Sequence, residues 1–600
     1  MSSLPKANGS RSSWAWINAL PILVAWIFVF LYWSNVPTGH DWVFFQILET
    51  SDSISDVLSG IWSPQNGHRN FVIQILYLAD YYTLGFNVKH FLVLNLVVMM
   101  IGWWGSWKLF RAYFQNNILY YFPVTCIWFS LIQYKDFLTT WHLTIHLGIL
   151  GGVWAIYFIG NGRFRNLLLA YLFFLLSFFS FGNGLIIAPI GLLILLIQKR
   201  RTTDIIAWIL LVTAAIALYF WNYNVQSSTI SPSAMFHSVL PSISLILKLM
   251  ANPWAGLMGY FGTLGNLVLL VVGAIYLLTT CLLVWESKSN WRQNVVLLAF
   301  TLYSWLVFVL ISFGRIQRGS AISTAYFTVA MQSAIPLIVL CFMQGIDSYR
   351  KRGNLRDYRL YKLVSWVAVI SSVLGLVYGF SWGPYVKGDR IKQRYRILHY
   401  EDYDYETSAR SYLEKNNKSV FKDTKRDDMY LHVFELDKFK DTSPAYIYDS
   451  ESSRDYTMIN PVEEIRNIGI LAHVHSMDAK DSLVVEIHHI AEDHALIRRA
   501  ISSKDILLNG RASFPVEGST LAMGDTLLIK ISVSGSTIKV PLYKPYPGSP
   551  TLLSGESEEL NDRTISIEFN PPKQLKGYYR QLALRNRLKL WKNKITKKAA

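Results

Sequence analysis

The sequence predicts a polytopic α-helical membrane domain followed by a small outer domain of α+β or β-rich structure. Apolar runs of spanning length recur through the first two thirds of the 600-residue chain, which is 52% hydrophobic and only 16% charged. Lys and Arg fall in short clusters between these runs, as they do in membrane proteins of fixed topology. After residue 384 the apolar runs stop and the charged content becomes ordinary.

The net charge of +17 would point to nucleic acid in a soluble protein. Here the cations lie between apolar runs, so we expect a lipid bilayer as the partner and no nucleic acid. The three cysteines all lie inside apolar runs. The polar C-terminal third therefore has no disulfide and no cysteine-based metal site.

A bilayer core needs about 20 apolar residues per helix, and about eleven segments meet this requirement. They are 14–34, 88–110, 118–134, 138–160, 166–182, 184–199, 204–222, 258–285, 293–313, 323–345 and 362–384. The segment 71–86 contains Asp80, and we expect it to form a re-entrant or surface helix. We expect 222–254 to be an outer loop.

The N-terminus is predicted to lie in the cytoplasm. Lys6 and Arg11 precede the first apolar run and no small-residue cleavage site follows, which is typical of a signal anchor. Alternating the spans then places every basic cluster inside except Arg315 and Arg318. Two arginines on the outer face indicate an anionic ligand, and contact with lipid head groups is the alternative.

The predicted domains are a membrane domain at 1–384, an outer domain at 385–572 and a basic tail at 573–600. The outer domain is expected to begin with a helix near 403–420 and to continue in short alternating strands such as 483–490. The tail has ten Lys or Arg, no acid and interleaved leucines, which predicts an amphipathic helix on an anionic membrane surface.

The first outer loop, 35–70, carries the acid that is best placed for catalysis. Asp41 follows the first span and is interpreted as a general base, or as a ligand for a divalent metal; the alternative is a helix N-cap. The aromatic residues beside it, including Trp42, suit stacking on a sugar ring. His68 and Arg69 end the loop and are predicted to bind phosphate, with interfacial anchoring as the alternative.

The same topology brings further polar residues to the outer side. Lys135 and Asp136 are candidates for substrate contact or for a local ion pair. His142 and His146 have the i, i+4 spacing of metal ligands, although membrane histidines more often hydrogen-bond to neighbouring helices. Asn183 is either a turn residue or a substrate contact. We assign no metal site and no certain cofactor, and a divalent metal stays open.

Four short segments of the membrane domain resemble motifs of a bacterial branch of the GT-C superfamily. They are Asn66-Gly67-His68-Arg69, Gln133-Tyr134-Lys135-Asp136, Ser180–Leu185, and Gly314-Arg315 with Ser323–Tyr326. The likeness covers residues 14 to about 345. It departs from the pattern at Gly67, where an acid is usual, at Lys135-Asp136, which replace Glu-Asn, and at Ala325, which replaces an arginine.

The resemblance implies an inverting membrane glycosyltransferase of the bacterial inner membrane, with an outer C-terminal domain. The donor would be a polyprenyl-phosphate sugar, and the acceptor a cell-surface glycan such as O-antigen or another lipid-linked molecule. Asp41 would act as the base, and Arg69, Arg315 and Arg318, with His68, would hold the donor phosphate. A polysaccharide polymerase or ligase, a flippase of lipid-linked oligosaccharide and a non-enzymatic scaffold are the alternatives.

Overall fold

The computed structural model describes residues 15–38, 40–65, 68–162, 164–223, 239–286, 291–292, 294–314, 327–352 and 359–399, together with short strands between 431 and 569. The chain forms two compact units. One contains Met1–Trp33 and Pro37–Phe380, and the other contains Ser34–Val36 and Ser381–Ala600. The division falls after Phe380, whereas the sequence placed it after residue 384.

The first unit is helical. Its helices are α1 (Ala19–Tyr32), α2 (Asp41–Thr50), α3 (Ile54–Trp62), α4 (Phe71–Leu84), α5 (Val88–Phe110), α6 (Phe122–Trp128), α7 (Tyr134–Phe137), α8 (Leu143–Gly160), α9 (Phe164–Ser180), α10 (Ile187–Ile197), α11 (Thr202–Phe220), α12 (Val239–Ala255), α13 (Gly262–Glu286), α14 (Val295–Gly314) and α15 (Phe327–Arg352). Helix α16 spans Arg359–His399.

Among the described residues, seven helical segments are long and apolar enough to cross a membrane. They are Val88–Phe110, Thr140–Gly160, Thr202–Phe220, Thr263–Trp285, Val295–Ser312, Thr328–Ile346 and Arg359–Gly388. Four shorter apolar helices accompany them, at Trp16–Tyr32, Phe71–Leu84, Phe164–Ser180 and Gly182–Ile197. The predicted helical, membrane-embedded character is therefore confirmed in outline, and the count of eleven spans stays a prediction.

The predicted third span, 118–134, is wrong as a continuous helix. It consists of a 3₁₀ turn at Ile118–Tyr121, the short helix α6, and a second 3₁₀ turn at Leu131–Gln133. The break occurs at Ser130, which is extended (ψ 130°). The Gln133 side-chain amide donates to the Trp128 carbonyl at 2.7 Å, and so satisfies a group that the end of α6 leaves without a helical partner.

One further expectation about the membrane domain is corrected. The predicted outer loop 222–254 contains α12, a helix whose residues Leu249, Met250 and Ala251 are buried. The expected helix within 71–86 is present as α4, and its re-entrant or surface placement stays a prediction. Asp80 lies inside this helix. Its carboxylate accepts from the Asn87 backbone N–H at 2.9 Å and contacts His90 Nδ1 at 2.8 Å, and it thereby fixes the turn into α5.

The helical unit has two chemically different ends, which helix α8 connects. Asp136 in α7 and Thr140 in the following turn lie just before α8, and we call this end, together with Asp41, the carboxylate end. At the other end of α8, the Gly160 carbonyl accepts from Gln198 at 3.3 Å. Exposed cations lie in the turns of this second, basic end. They are Arg165, Lys199, Arg201 and Arg292.

The second unit contains antiparallel sheets. The strands are β1 (Leu431–His432), β2 (Ala445–Ile447), β3 (Ser453–Ile459), β4 (Asn467–Ile470), β5 (His473–Val474), β6 (Ser482–His489), β7 (Ala495–Ser502), β8 (Ala512–Pro515), β9 (Thr526–Ser534), β10 (Ile538–Tyr543), β11 (Thr564–Ile565) and β12 (Ile567–Phe569). Their orders are β1-β12-β4-β8, β11-β10-β2 with β5 also on β10, and β3-β9-β6-β7. The alternation that predicted strands is present in β6, where Leu483, Val485 and Ile487 are buried. The predicted helix at 403–420 and the tail at 573–600 lie outside the described residues.

Candidate functional site

Asp41 lies at the centre of a buried hydrogen-bond network at the carboxylate end. Its side chain is completely buried. Oδ1 accepts from the Tyr77 hydroxyl at 2.5 Å, and Oδ2 accepts from the Thr140 hydroxyl at 2.5 Å. Oδ2 also accepts from the Thr38 backbone N–H at 2.9 Å and, more weakly, from the Thr38 hydroxyl at 3.4 Å. The carboxylate thus joins the first outer loop, α4 and the turn before α8.

This arrangement differs from the N-cap alternative. The N-cap position of α2 is His40, whose side chain makes no capping hydrogen bond, and Asp41 is the first residue of the helix. The Asp41 carboxylate accepts from Thr38, which precedes the helix, and from two distant side chains. Asp41 therefore joins distant segments at this end, in addition to its local contact with Thr38 just before α2.

Tyr77 is held as a neutral hydrogen-bond donor to Asp41. Burial, and after it the nearby Asp41 carboxylate, raise the pKa of the Tyr77 phenol well above its ordinary value. The phenol consequently stays protonated at any physiological pH and donates a hydrogen bond to Oδ1. Neutral hydroxyl donors of this kind stabilise the carboxylate form without cancelling its charge.

Trp42 is part of an aromatic core, and this is a correction to its predicted place on a sugar-stacking surface. Its side chain is 1% exposed, and Phe44 and Phe45 are fully buried. The Trp42 and Phe45 rings lie 5.7 Å apart, and Phe45 packs edge-on to Phe86 at 4.7 Å. These rings pack α2 against the turn that follows α4. They hold the backbone of Asp41 in place.

Asp136 is the second fully buried carboxylate at this end. Its Oδ2 accepts from the Thr328 hydroxyl at 2.7 Å and from the Thr328 N–H at 3.3 Å. Its Oδ1 lies 2.6 Å from His142 Nδ1, a close contact whose geometry is not that of a linear hydrogen bond. Asp136 therefore acts on the first turn of α15, where its negative charge also complements the helix dipole.

His146 continues the polar network inward. One ring nitrogen contacts the Asn95 side-chain oxygen, and the other lies 3.3 Å from the Thr328 hydroxyl. Asn95 in turn donates to the Asp136 carbonyl at 3.0 Å. This geometry favours the hydrogen-bonding interpretation for His146, whereas His142 makes the close contact with Asp136. No group of three His, Cys, Asp or Glu that could hold a metal occurs among the described residues.

The two carboxylates are joined through one short segment of chain, 134–142. Asp136 lies in α7, within this segment, and Thr140, which donates to Asp41, lies four residues later. The next residue, Trp141, stacks on His40 with ring centroids 4.7 Å apart. The sequence predicted Asp41 and Asp136 at one face, and in the structure the chain from Asp136 to Thr140 and the Thr140–Asp41 hydrogen bond connect them. Lys135, which also lies in α7, is exposed.

Arg69 is buried at the ends of two helices. Only 1% of it is exposed. Its guanidinium donates to the carbonyls of Trp62 at the end of α3 and of Trp221 just after α11, and to the Tyr219 carbonyl at 2.5 Å. The cation also lies 4.6 Å from the centre of the Trp62 ring. Arg69 caps helix C-termini, where unsatisfied carbonyls and the negative end of the dipole favour a cation.

His68 approaches Gly182 in the turn that follows α9, and Asn183 is the next residue of that turn. A Cβ atom on Gly182 would lie 3.0 Å from His68 Nδ1, so glycine at this position lets the ring approach the backbone. His68 is partly exposed, whereas Asn183 is buried, with its side-chain nitrogen lacking a hydrogen-bond partner among the described residues. Two of the motif segments identified in the sequence are thereby in contact.

Arg315 and Arg318 lie outside the described residues, so their predicted phosphate binding stays a prediction. The segment that contains them is bounded by Gly314 at the end of α14 and by Phe327 at the start of α15. The following residue, Thr328, is the one that Asp136 holds. Comparison with known proteins adds no name, because no protein-family model and no curated protein matches the chain.

The residues that sequence reasoning missed are neutral ones. The contacts that join the charged residues are made by four uncharged side chains, those of Tyr77, Asn95, Thr140 and Thr328. The one sequence signal for any of them is the position of Thr140 between Asp136 and His142.

Proposed function

We propose that the protein is an inverting membrane glycosyltransferase of the GT-C type. It transfers a sugar from a polyprenyl-phosphate donor to a cell-surface glycan or lipid-linked acceptor, at the outer face of a bacterial inner membrane. The observation that carries the proposal is the completely buried Asp41 carboxylate, held by neutral donors and linked through 134–142 to a second buried carboxylate, Asp136.

Burial of a carboxylate is costly, because transfer of a charge out of water is unfavourable unless hydrogen bonds compensate it. Asp41 is compensated by hydroxyl and amide groups. A carboxylate in such a setting remains able to accept a proton, which is the requirement for a general base.

In the proposed reaction the acceptor hydroxyl replaces the weakest of the Asp41 contacts, the 3.4 Å bond from the Thr38 hydroxyl. As the acceptor oxygen attacks the anomeric carbon, its proton passes to Asp41 Oδ2. The bond from the anomeric carbon to the phosphate oxygen breaks, and polyprenyl phosphate leaves with the bonding electrons. Arg315 and Arg318 are proposed to neutralise that phosphate. Arg69 orders the loop in this scheme, and His68 supplies a further donor.

The topology is part of the proposal. About eleven spans, a cytoplasmic N-terminus and an outer C-terminal domain would place the carboxylate end outside. One contact and the order of the chain support this. The Asn18 side chain, at the N-terminus of α1, donates to the Ile118 carbonyl at 3.0 Å, close in sequence to Lys108 and Arg111. The chain emerging from the other end of α1 leads directly to Asp41. Basic residues beside the start of α1 favour the cytoplasm for that end.

The test is sugar transfer by purified protein in proteoliposomes, with a panel of radiolabelled polyprenyl-phosphate sugars and extracted cell-envelope lipids as acceptors. We expect Asp41→Asn to insert and fold normally and to transfer at least about 100-fold more slowly, since general bases contribute about 10²–10⁴-fold. The matched control is Asp52→Asn, because Asp52 lies exposed in the same loop. Near-normal turnover in Asp41→Asn would make Asp41 a purely structural carboxylate and would refute this mechanism.

A further inference from the structure

A cavity of about 350 Å³ lies between α10, α13 and α14, at the basic end of the helical unit. Its walls include Leu193 and Ile197 of α10, Cys281 of α13, and Leu298 and Leu302 of α14. This volume is roughly ten times the share of one water molecule in the liquid. It is large enough for a flexible hydrocarbon chain.

The cavity wall is mainly apolar, and Trp305 Nε1 is a buried donor on it without a hydrogen-bond partner among the described residues. Two threonines reach its wall, and both hydroxyls are used within their own helices. Thr280 donates to the Tyr276 carbonyl at 2.8 Å, and Thr301 donates to the Leu297 carbonyl at 2.8 Å. A space lined in this way by apolar groups favours an apolar occupant over water.

The cavity also opens sideways, onto the surface of the membrane-spanning helices. Cys281 is exposed, and Leu302 and Trp291 are 41% and 55% exposed. An occupant can therefore enter from the hydrocarbon phase without unfolding the helices. Tryptophan at the mouth is typical of the membrane interface, where its ring is both apolar and able to donate a hydrogen bond.

Cations lie close in sequence to two residues of the cavity wall, Ile197 and Trp291. Lys199 follows Ile197 by two residues, and Arg292 directly follows Trp291; both cations are exposed. The neighbouring Arg200 is already paired: it donates a hydrogen bond to the Gly162 carbonyl and lies 3.8 Å from the Asp204 carboxylate. The exposed cations therefore provide charge for an anionic head group beside an apolar space.

From this combination we propose that the cavity is a binding site for an anionic phospholipid. One acyl chain occupies the cavity, and the phosphate lies against Arg292 and Lys199. This site is at the opposite end of α8 from Asp41, and the inference does not depend on the proposed sugar transfer.

The test uses the full-length protein in detergent micelles, labelled with phosphatidylglycerol that carries a photoactivatable diazirine acyl chain. Phosphatidylcholine with the same chain is the comparison lipid. After irradiation and digestion, mass spectrometry is expected to find the label on peptides that contain Cys281 and Leu298. A cation at an anionic membrane surface favours binding by about fivefold. Phosphatidylglycerol should therefore label these peptides several-fold more than phosphatidylcholine.

Two variants separate the tail from the head group. Arg292→Gln should lower the preference for phosphatidylglycerol by about fivefold and leave labelling by phosphatidylcholine unchanged. Cys281→Trp fills the cavity and should lower labelling by both lipids. Its control is Leu278→Trp, which changes an exposed position of the same helix outside the cavity wall.

Equal labelling by the two lipids would overturn the anionic site and leave only a gap filled by bulk lipid. Label elsewhere in the protein but not on these peptides would overturn the tail site. Displacement of the label by polyprenyl phosphate, but not by unlabelled phosphatidylglycerol, would overturn the phospholipid assignment in favour of an isoprenoid tail.

Discussion

Arg69 offers the sharpest separation of a structural role from a ligand-binding role. Its guanidinium donates to three main-chain carbonyls, those of Trp62, Tyr219 and Trp221, and it is 1% exposed. Removing it leaves those carbonyls at two helix ends without their donor. A buried polar group that loses its partner costs about 1–3 kcal/mol. Because Trp221 is 72% exposed, water can reach part of this region.

Each of the three carbonyls is assigned about 1–2 kcal/mol, the lower part of that range. Arg69→Ala is therefore expected to destabilise the folded protein by about 3–6 kcal/mol. Arg69→Lys keeps the charge and loses the planar fork that reaches three acceptors at once, so we expect it to recover only part of the loss. Arg165→Ala is the control, because Arg165 is exposed at the basic end.

The measurement is thermal unfolding of the purified variants in detergent, together with binding of dodecyl phosphate as a minimal lipid phosphate. The capping role predicts melting temperatures in the order wild type, Arg69→Lys, Arg69→Ala. A wild-type melting temperature in Arg69→Ala, accompanied by weakened dodecyl phosphate binding, would refute the capping argument and would restore Arg69 as a phosphate ligand.

Two other substitutions test the packing that positions the site. Thr140→Val removes the hydroxyl that donates to Asp41 and keeps the shape of the side chain; we expect a loss of about 1–3 kcal/mol in the free energy of unfolding. Thr140→Ser should restore most of this stability, and equal melting temperatures for Val and wild type would contradict the network. Gly151→Ala should destabilise by about 1–3 kcal/mol, because the new Cβ would lie 2.6 Å from the Phe173 carbonyl oxygen. The same unfolding measurement checks it, and an unchanged melting temperature would show that α8 and α9 can separate without cost.

The sequence was informative about charged residues and long apolar runs, and much less so about how these are joined. Asp41 and Asp136 could be assigned to one face by counting spans, because alternation of cationic loops is a property of the whole chain. Their connection through Thr140 could not be predicted. Asp41 and Thr140 are 99 residues apart in sequence, and the position of Thr140 between Asp136 and His142 does not indicate which distant residue it contacts.

The errors in the helix assignment have physical causes. Residues 118–134 satisfy a hydropathy window, yet Ser130 and Gln133 compete for main-chain groups and break the helix in two. In contrast, α12 was missed because Lys248 and two serines lower its mean hydropathy, although it packs into the bundle with Leu249 and Met250 buried. Hydropathy measures contact with lipid, whereas these two segments are surrounded largely by protein.

The burial of Trp42 illustrates the same limit at the candidate site. An aromatic residue next to a catalytic candidate can serve a sugar or the core, and the local sequence is identical in both cases. The deciding contacts come from Phe86, after α4, which lies 4.7 Å from Phe45. Since Trp42, Phe44 and Phe45 are packed in this way, a sugar bound near Asp41 must be recognised by other groups.

The distribution of charge along α8 connects the two proposals. Buried carboxylates at its start are held by hydroxyl and amide donors, whereas exposed cations gather at its end. Cations beside a membrane attract anionic lipid and fix orientation, but they do not require burial. A carboxylate that is removed from water requires compensation, and for Asp41 the chain supplies it from three separate segments, at Thr38, Tyr77 and Thr140. This asymmetry of cost is the physical reason to seek chemistry at the carboxylate end and lipid binding at the basic end.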